Sequence, residues 1–191
     1  MNFYEISRVV LRFLFKVLFR LKAHGVENIP REGGVLLCSN HISYLDPPTL
    51  GIYVPRRLNY MAKSELFNFK PFAALITALG AFPVKRGGVS KEAIKTSLQL
   101  LREGHAILMF PEGTRNSDAS SAKRGAALLA IRSGAAVVPC RIVPGYRLFR
   151  RTHVIYGPPV DLSPFAGNTD GESLDKATEL IMQRIRELQV G

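Results

Sequence analysis

From residue 33 onward, short apolar runs alternate along the chain with longer segments whose apolar positions recur at helical spacing. Several of the runs are apolar at every position, which is typical of strands in a sheet covered on both faces. The predicted strands are 35–39, 58–62, 81–84, 106–110, 136–142 and 154–156, and the predicted helices are 48–53, 65–79, 91–103, 122–133 and 170–188. This alternation predicts an α/β fold with a mostly parallel sheet flanked by helices.

Residues at the ends of these helices support their boundaries. Ser90 has the properties of an N-cap for the helix over 91–103, and Gly104 is typical of a residue that ends one. Gly134 follows the helix over 122–133 in the same way. The last helix opens with Thr169-x-x-Glu172, which has the spacing of a capping box.

The first 22 residues have a different pattern, in which a cation recurs at every fourth position between apolar residues. At 3.6 residues per turn this spacing gathers the cations into one stripe and leaves a wide apolar arc. The arc is covered by the rest of the protein, or it lies at a membrane surface while the cations reach phosphates. The second alternative predicts an interfacial helix over 1–24 and an α/β domain over 25–191. The cations are Arg8, Arg12, Lys16 and Arg20.

No stretch of the sequence has the length that a membrane-spanning helix needs. The longest uncharged segment, 71–84, is shorter than the roughly 18 apolar residues required. The N-terminal apolar stretch is broken by charges and lacks the cleavage site of a secretory signal peptide. We therefore expect a peripheral or monotopic protein at the cytoplasmic face of the cell membrane.

Composition narrows the class of protein further. The 191 residues include 26 Lys and Arg against 15 Asp and Glu, a net charge of +11, while 47% of the residues are hydrophobic. A disordered basic tail would have fewer apolar residues, and the length suggests one domain. The charge indicates an anionic partner, such as nucleic acid, an acidic protein, a phosphorylated substrate or a membrane.

The two cysteines, Cys38 and Cys140, each lie in an apolar run with no second Cys or His at the spacing of metal ligands. This favours buried reduced thiols and no metal site.

The loop after the strand over 35–39 contains the first candidate chemistry. His41 and Asp46 are five positions apart, so the carboxylate can accept the Nδ1 proton of the imidazole and leave the other ring nitrogen as a base. A structural role is also open. Asp46 before Pro47 has the pattern of a helix N-terminus, and His41 could be a packed side chain.

Two other predicted strands end in basic or glycine-containing segments. Lys85-Arg86-Gly87-Gly88 follows the strand over 81–84, and Pro111-Glu112-Gly113-Thr114-Arg115 follows the strand over 106–110. Each alone is typical of an ordinary solvated turn. Because ligands in parallel sheets collect beyond the carboxyl ends of the strands, the three segments together predict a base beside a phosphate-binding turn.

These blocks resemble those of the glycerolipid acyltransferases, most closely the 1-acyl-sn-glycerol-3-phosphate acyltransferases. The His-x-x-x-x-Asp block is His41 to Asp46 and the Phe-Pro-Glu-Gly-Thr-Arg block is complete at 110–115. The block at 80–86 is similar to Gly-x-x-Phe-x-x-Arg, and Val138-Pro139 matches a fourth block. The resemblance covers about residues 25–160. It departs at Cys140, where an aliphatic residue is common, and in having a single N-terminal helix.

The resemblance implies transfer of an acyl group from coenzyme A or acyl carrier protein to the sn-2 hydroxyl of lysophosphatidate. His41 would be the base and Asp46 would orient it. The other implied substrate-binding residues are Asn40, Ser43, Lys63, Lys85, Arg86, Glu112, Gly113, Thr114 and Arg115. Of these, Arg86 and Arg115, with Lys63 as a weaker candidate, would bind the phosphate. The acyl thioester would be a co-substrate, with no cofactor and no metal.

Three alternatives stay open on the sequence. The acceptor could be glycerol 3-phosphate, another lysophospholipid or a lipidated amino acid. A non-catalytic protein could use the same basic residues to bind anionic lipid, although it would not need the His41 and Asp46 pair. Nucleic-acid binding is disfavoured because the basic residues are not part of a known recognition motif. The remaining cations, including Arg147, Arg150 and Arg151, would serve an acidic acyl carrier protein or the bilayer.

Overall fold

The computed structural model of the chain describes residues 3–84, 91–111 and 119–190, and over 119–123 it describes the backbone only. The strands in these ranges are β1 (Lys22–His24), β2 (Val35–Ser39), β3 (Leu58–Lys63), β4 (Ala81–Val84), β5 (Ala106–Met109), β6 (Ala136–Val143) and β7 (His153–Tyr156). The α-helices are α1 (Phe3–Leu18), α2 (Asp46–Gly51), α3 (Lys70–Ala78), α4 (Lys91–Arg102), α5 (Ala119–Ser133) and α6 (Gly171–Glu187). Short 3₁₀ turns occur at Val26–Asn28, Ser64–Phe67 and Ser163–Phe165.

The seven strands form one sheet in the order β1-β7-β6-β2-β5-β3-β4. Every neighbouring pair is parallel except β6 and β7. The strand β2 lies at the centre, where Val35 aligns with Ala106 of β5 and with Ala136 of β6. The prediction of a mostly parallel α/β sheet is confirmed. Because β2 to β6 all run in one direction, their carboxyl ends meet at one edge.

Each face of the sheet carries its own hydrophobic core. On one face Leu37 packs in a cluster with Phe15 from α1 and Leu50 from α2. On the other face Leu36 packs in a cluster with Leu129 from α5 and Ile181 from α6. Successive side chains of a strand point to opposite faces, so a strand buried on both faces needs apolar residues throughout. This accounts for the apolar run over 35–38 in β2.

The two cysteines have the environment that the sequence predicts. Cys38 and Cys140 are free and buried. Burial raises the pKa of the Cys38 thiol to about 12 and also raises that of Cys140, because the thiolate is poorly solvated in the core. The interpretation as buried reduced thiols is confirmed.

Several predicted helix boundaries differ from the structure. The single helix predicted over 65–79 is divided into the 3₁₀ turn Ser64–Phe67 and α3, which has Pro71 in its first turn. At the start of α6, Asp170 is the N-cap and accepts a hydrogen bond from the Ser173 N–H at 2.9 Å, so the predicted cap at Thr169 is one residue early. Gly104 and Gly134 have positive φ at the predicted helix ends, which confirms them as stops. Ser90 lies outside the described residues.

The N-terminal helix α1 turns half of its cationic stripe inward. Arg8 donates to the Val54 carbonyl and Arg12 donates to the Ile52 carbonyl, whereas Lys16 and Arg20 are exposed. This differs from the expectation that all four cations face lipid headgroups. The outward face of α1 is apolar and consists of Phe3, Ile6, Val9, Val10, Phe13, Leu14 and Val17. Among the described residues, no helix combines the length and the apolar character needed to cross a bilayer.

Candidate active site

The loop that leaves β2 is fastened to the neighbouring strand by the side chain of Asn40. Its Oδ1 accepts from the Ile142 N–H at 2.9 Å, and its Nδ2 donates to the Ile142 carbonyl at 3.1 Å. The last backbone pair between the strands is Ser39 with Cys140, so the amide continues the β2–β6 ladder as a peptide group would. Both polar atoms of the Asn40 side chain therefore bond to β6. The contact between Asn40 and substrate stays a prediction.

His41 and Asp46 form a hydrogen-bonded pair at the carboxyl end of β2. His41 Nδ1 lies 2.7 Å from Asp46 Oδ2, and the Asp46 side chain is 0% exposed. The same oxygen accepts from the backbone N–H groups of Ile42 at 2.6 Å and Ser43 at 2.8 Å. Because a buried carboxylate accepts hydrogen bonds, Nδ1 carries the proton and Nε2 presents a lone pair. The pair has the arrangement that a general base requires.

The aromatic ring of Phe110 stacks on the His41 imidazole. The two rings stack with centroids 4.1 Å apart and an angle of 19° between their planes. Phe110 follows β5, the immediate neighbour of β2, and it is the first residue of the block at 110–115. The sheet thus brings the His-x-x-x-x-Asp block into contact with the block at 110–115. The His41 side chain is 21% exposed, which leaves the ring accessible from solvent.

The short helix α2, which starts at Asp46, is held at its far end by three side chains. The Leu50 carbonyl accepts from the Tyr156 hydroxyl at 2.6 Å, while Ile52 and Val54 accept from the arginines of α1. The last carbonyls of a helix have no partners within it, so such donors stabilise its end. A helix of six residues cannot hold its own position by backbone bonds alone. The packing of α1 therefore supports the position of Asp46.

A comparison with protein families assigns this loop to a known class. The family model described as Acyltransferase matches residues 20–143, which include the His41 and Asp46 loop and the strands around it. The chain belongs to this acyltransferase family. The match confirms the family resemblance found in the sequence, and it confirms that the protein is an enzyme that transfers acyl groups.

Individual relatives of the acyltransferase agree with this assignment. It is 33% identical over 97% of its length to the 1-acyl-sn-glycerol-3-phosphate acyltransferase of Bacillus subtilis (strain 168), of which it covers 96%. It is 28% identical over 97% of its length to the Streptococcus pneumoniae protein of the same name, of which it covers 73%. The crystal structure of the 1-acyl-sn-glycerophosphate acyltransferase from Thermotoga maritima matches its fold with a TM-score of 0.70. That match has 24% identity and covers 96% of this chain and 78% of the other.

The remaining predicted site residues of the acyltransferase fall into two groups. Ser43 is part of the loop itself, since its Oγ accepts from the Leu45 N–H at 3.2 Å. Lys63 ends β3 at the same edge of the sheet as His41, and in the described ranges no hydrogen bond or ion pair joins it to the pair. The others lie outside the described residues: Lys85, Arg86, Glu112, Gly113, Thr114 and Arg115. Val84, just before the first of these segments, ends β4, and Pro111, just before the second, follows β5; both strands end at this edge.

Sequence reasoning about the acyltransferase missed two neighbours of Asp46, the buried Thr49 and the half-buried Tyr146. Thr49 lies three residues further along α2, and Tyr146 comes from the loop after β6. Burial raises the pKa of the Tyr146 phenol, and the Asp46 carboxylate beside it raises it further. A single tyrosine in a loop has no pattern that would predict this position.

Within the described ranges, no group of three His, Cys, Asp or Glu side chains is placed to hold a metal ion.

Proposed function

We propose that this acyltransferase moves a fatty acyl group from acyl-coenzyme A or acyl carrier protein to the sn-2 hydroxyl of 1-acyl-sn-glycerol 3-phosphate. The product would be phosphatidate, an intermediate of phospholipid biosynthesis. The observation that carries the proposal is the His41 and Asp46 pair, in which Nδ1 bonds to Asp46 and Nε2 has no hydrogen-bond partner among the described residues. The name of the Bacillus subtilis relative, which matches nearly the whole chain, supports the choice of acceptor.

The pair supplies what the chemistry of this transfer needs. An alcohol has a high pKa, so it must lose its proton as its oxygen attacks the thioester carbonyl. His41 Nε2 takes that proton, and Asp46 stabilises the imidazolium that forms. The carbon–sulfur bond of the tetrahedral intermediate then breaks, and the departing thiolate takes the proton back from Nε2. The acceptor itself is the nucleophile, so the enzyme forms no covalent intermediate.

The phosphate of the acceptor requires fixed cations, for which we propose Arg115 and Arg86, with a weaker contribution from Lys63. Arg115 belongs to the segment after β5, one strand away from β2. Arg86 follows β4, which lies three strands from β2, or about 14 Å at the usual spacing between strands. This order favours Arg115 over Arg86 as the cation that binds the phosphate of an acceptor held beside His41. Glu112, Gly113 and Thr114 would line the glycerol part of the site, and Lys85 would add charge.

We further propose that the outward face of α1 binds the surface of an anionic membrane. Phe13, at the middle of this face, is 67% exposed. The loop over 145–151 lies against the end of α1, because the Phe149 N–H donates to the Leu18 carbonyl at 2.6 Å. Leu148 and Phe149 are exposed there, and among the described residues the neighbouring cations form no ion pair. These cations are Arg147, Arg150 and Arg151. Exposed aromatic and apolar residues flanked by cations fit an anionic lipid surface.

The purified protein should be assayed with a panel of acceptors and both thioester carriers, with products identified by mass spectrometry. The panel contains lysophosphatidate, glycerol 3-phosphate, other lysophospholipids and a lipidated amino acid. We expect phosphatidate from lysophosphatidate to form with the highest kcat/KM. A higher kcat/KM on another acceptor would overturn the assignment of the substrate. The absence of any acylated product would overturn the activity.

The phosphate contacts are tested by Arg115→Ala and Arg86→Ala, with Lys95→Ala as a control on the exposed face of α4. A charge-assisted hydrogen bond contributes about 1.5–3 kcal/mol, so each loss should raise the KM for lysophosphatidate about ten-fold or more. The KM for the thioester should not change. If both the KM for lysophosphatidate and kcat stay at the wild-type values, the proposed contact is excluded.

A further inference from the structure

The two carboxylate oxygens of Asp46 have unequal surroundings. Oδ2 accepts three hydrogen bonds, from His41, Ile42 and Ser43. Oδ1 is buried, and no described residue donates a hydrogen bond to it. A buried carboxylate oxygen without a donor is strongly unfavourable, so a native site normally provides one.

Two other buried polar atoms beside Asp46 also lack partners. They are the hydroxyl oxygens of Thr49 and Tyr146, neither of which makes a hydrogen bond within the part of the chain that the structure describes. Three residues after Asp46, Thr49 lies on the same side of α2. The Tyr146 ring packs edge-on against Phe19 at 5.4 Å between centroids. Gly145, the residue before Tyr146, lies against the side chain of Ile42 in the loop that bonds to Asp46, and Tyr146 packs in the same core cluster as Leu50 of α2. The raised pKa of the Tyr146 phenol, to which the Asp46 carboxylate contributes, agrees with this placement.

The chemistry of the three groups fits one chain of hydrogen bonds. A carboxylate oxygen only accepts, whereas a phenol and a threonine hydroxyl can each donate and accept. We infer that Tyr146 is a positioning residue of the catalytic pair: its hydroxyl donates to Asp46 Oδ1 and accepts from Thr49, directly or through one water. The inference rests on the proposed role of His41 as the base. With donors at both oxygens, the plane of the carboxylate is fixed and Nδ1 of His41 keeps a single orientation.

A crystal structure tests the position of the hydroxyl without reference to activity. We expect the Tyr146 oxygen within hydrogen-bond distance of Asp46 Oδ1, or one ordered water that contacts both and Thr49. A Tyr146 hydroxyl that contacts neither Asp46 nor such a water would overturn the inference. This result is independent of which acceptor the enzyme uses, so it is distinct from a failure of the proposed function.

Kinetics of Tyr146→Phe test the consequence for the reaction. The variant keeps the ring and its contact with Phe19 but removes the donor to Asp46. We expect kcat to fall about ten-fold or more, with KM for both substrates within about two-fold of wild type. Tyr53→Phe is the matched control, because the Tyr53 hydroxyl belongs to the same core but donates to the Leu21 carbonyl. Equal kcat values for the two variants would contradict the inference.

Combination with Asp46→Asn separates positioning from a general loss of packing. If Tyr146 acts through Asp46, Tyr146→Phe should change kcat less than about two-fold when Asp46 is already replaced. A full ten-fold loss in that background would show that Tyr146 acts elsewhere and would overturn the inference. The assay uses whichever acceptor the wild-type enzyme acylates best.

Discussion

The loop over 40–46 and the helix α1 both turn charged side chains toward the interior. They differ in what remains at the surface, which is a polar imidazole in the loop and a row of apolar side chains on α1. In the loop, the buried Asp46 accepts hydrogen bonds from His41 Nδ1 and from two backbone N–H groups, and the His41 ring stays partly exposed. In α1, Arg8 and Arg12 bond to backbone carbonyls, and apolar side chains are left exposed. In both regions the unpaired backbone groups of the fold determine which charged side chains turn inward.

The two regions are joined through α2. The helix begins at Asp46, and the carbonyls just beyond its end accept from Arg8 and Arg12. One face of α1 therefore supports the proposed catalytic pair, and the other is the apolar face for which we propose membrane contact. Substitutions on the two faces of α1 should consequently have different effects, on stability for the inward face and on lipid binding for the outward face.

The largest effect is expected from Asp46→Asn. The carboxamide cannot stabilise the imidazolium, and it can present an N–H to His41 that favours the wrong tautomer, a change that lowers kcat by about 10⁴-fold in a serine protease. We expect a loss of about 10²-fold or more in kcat with little change in KM. The control is Asp161→Asn, whose carboxylate is at the surface. Steady-state kinetics measure kcat for both variants, and similar kcat values for Asp46→Asn and Asp161→Asn would contradict the role of Asp46.

On the inward face of α1, Arg12→Ala should reduce stability. It removes the donor to the Ile52 carbonyl and the cation 5.1 Å from the centroid of the Tyr53 ring. Loss of a hydrogen bond that leaves a partly buried acceptor costs about 1–3 kcal/mol in the free energy of unfolding, measured by urea denaturation. Lys16→Ala on the same helix is exposed and should stay within about 0.5 kcal/mol of wild type. Equal stabilities would show that the inward contacts contribute nothing.

Phe110→Leu tests the stacking contact between Phe110 and His41. The substitution keeps an apolar side chain but removes the ring that stacks on His41. Aromatic pairs contribute about 0.5–1.5 kcal/mol beyond their buried area, so kcat should fall roughly two-fold to ten-fold. Phe69→Leu, at an exposed phenylalanine before α3, serves as the control. An unchanged kcat for Phe110→Leu would show that the stacking does not orient the imidazole.

The smallest effect is expected on the outward face of α1. Phe13→Ser should weaken binding to vesicles that contain anionic phospholipid several-fold. The substitution removes the exposed ring, and with it the free energy gained when that ring moves from water into the lipid interface. The melting temperature should not change. Val190→Ser, at an exposed apolar position after α6, is the control. Co-sedimentation with vesicles measures both, and equal binding of the variants would exclude α1 as the contact surface.

The sequence predicted the parts of the molecule that local pattern determines. The apolar runs of β2 and β5 and the glycine stops at Gly104 and Gly134 are confirmed in the structure. The spacing of His41 and Asp46 predicted their contact, since a loop of that length closes readily after a strand. These features depend on neighbours within a few residues.

Features that depend on distant contacts could not be predicted in the same way. The strand β1 has three residues and no pattern of its own, and it exists because it pairs with β7. The spacing of the cations on α1 showed which residues share a stripe. The carbonyls of Ile52 and Val54, which are distant in sequence, determine that Arg8 and Arg12 turn inward. Asn40 was assigned to substrate by its place in the motif, and its bonds to Ile142 are visible only once β6 is beside β2.

The most direct test of the catalytic pair compares His41→Ala with His105→Ala in the same acylation assay. His105 lies in the turn between α4 and β5, and its side chain is exposed, so its loss should leave the rate at the wild-type value. General bases contribute about 10²–10⁴-fold, so His41→Ala should form phosphatidate at no more than about a hundredth of the wild-type rate, with an unchanged circular dichroism spectrum. A folded His41→Ala variant that retains more than about a tenth of the wild-type rate would contradict the role of His41 as the base.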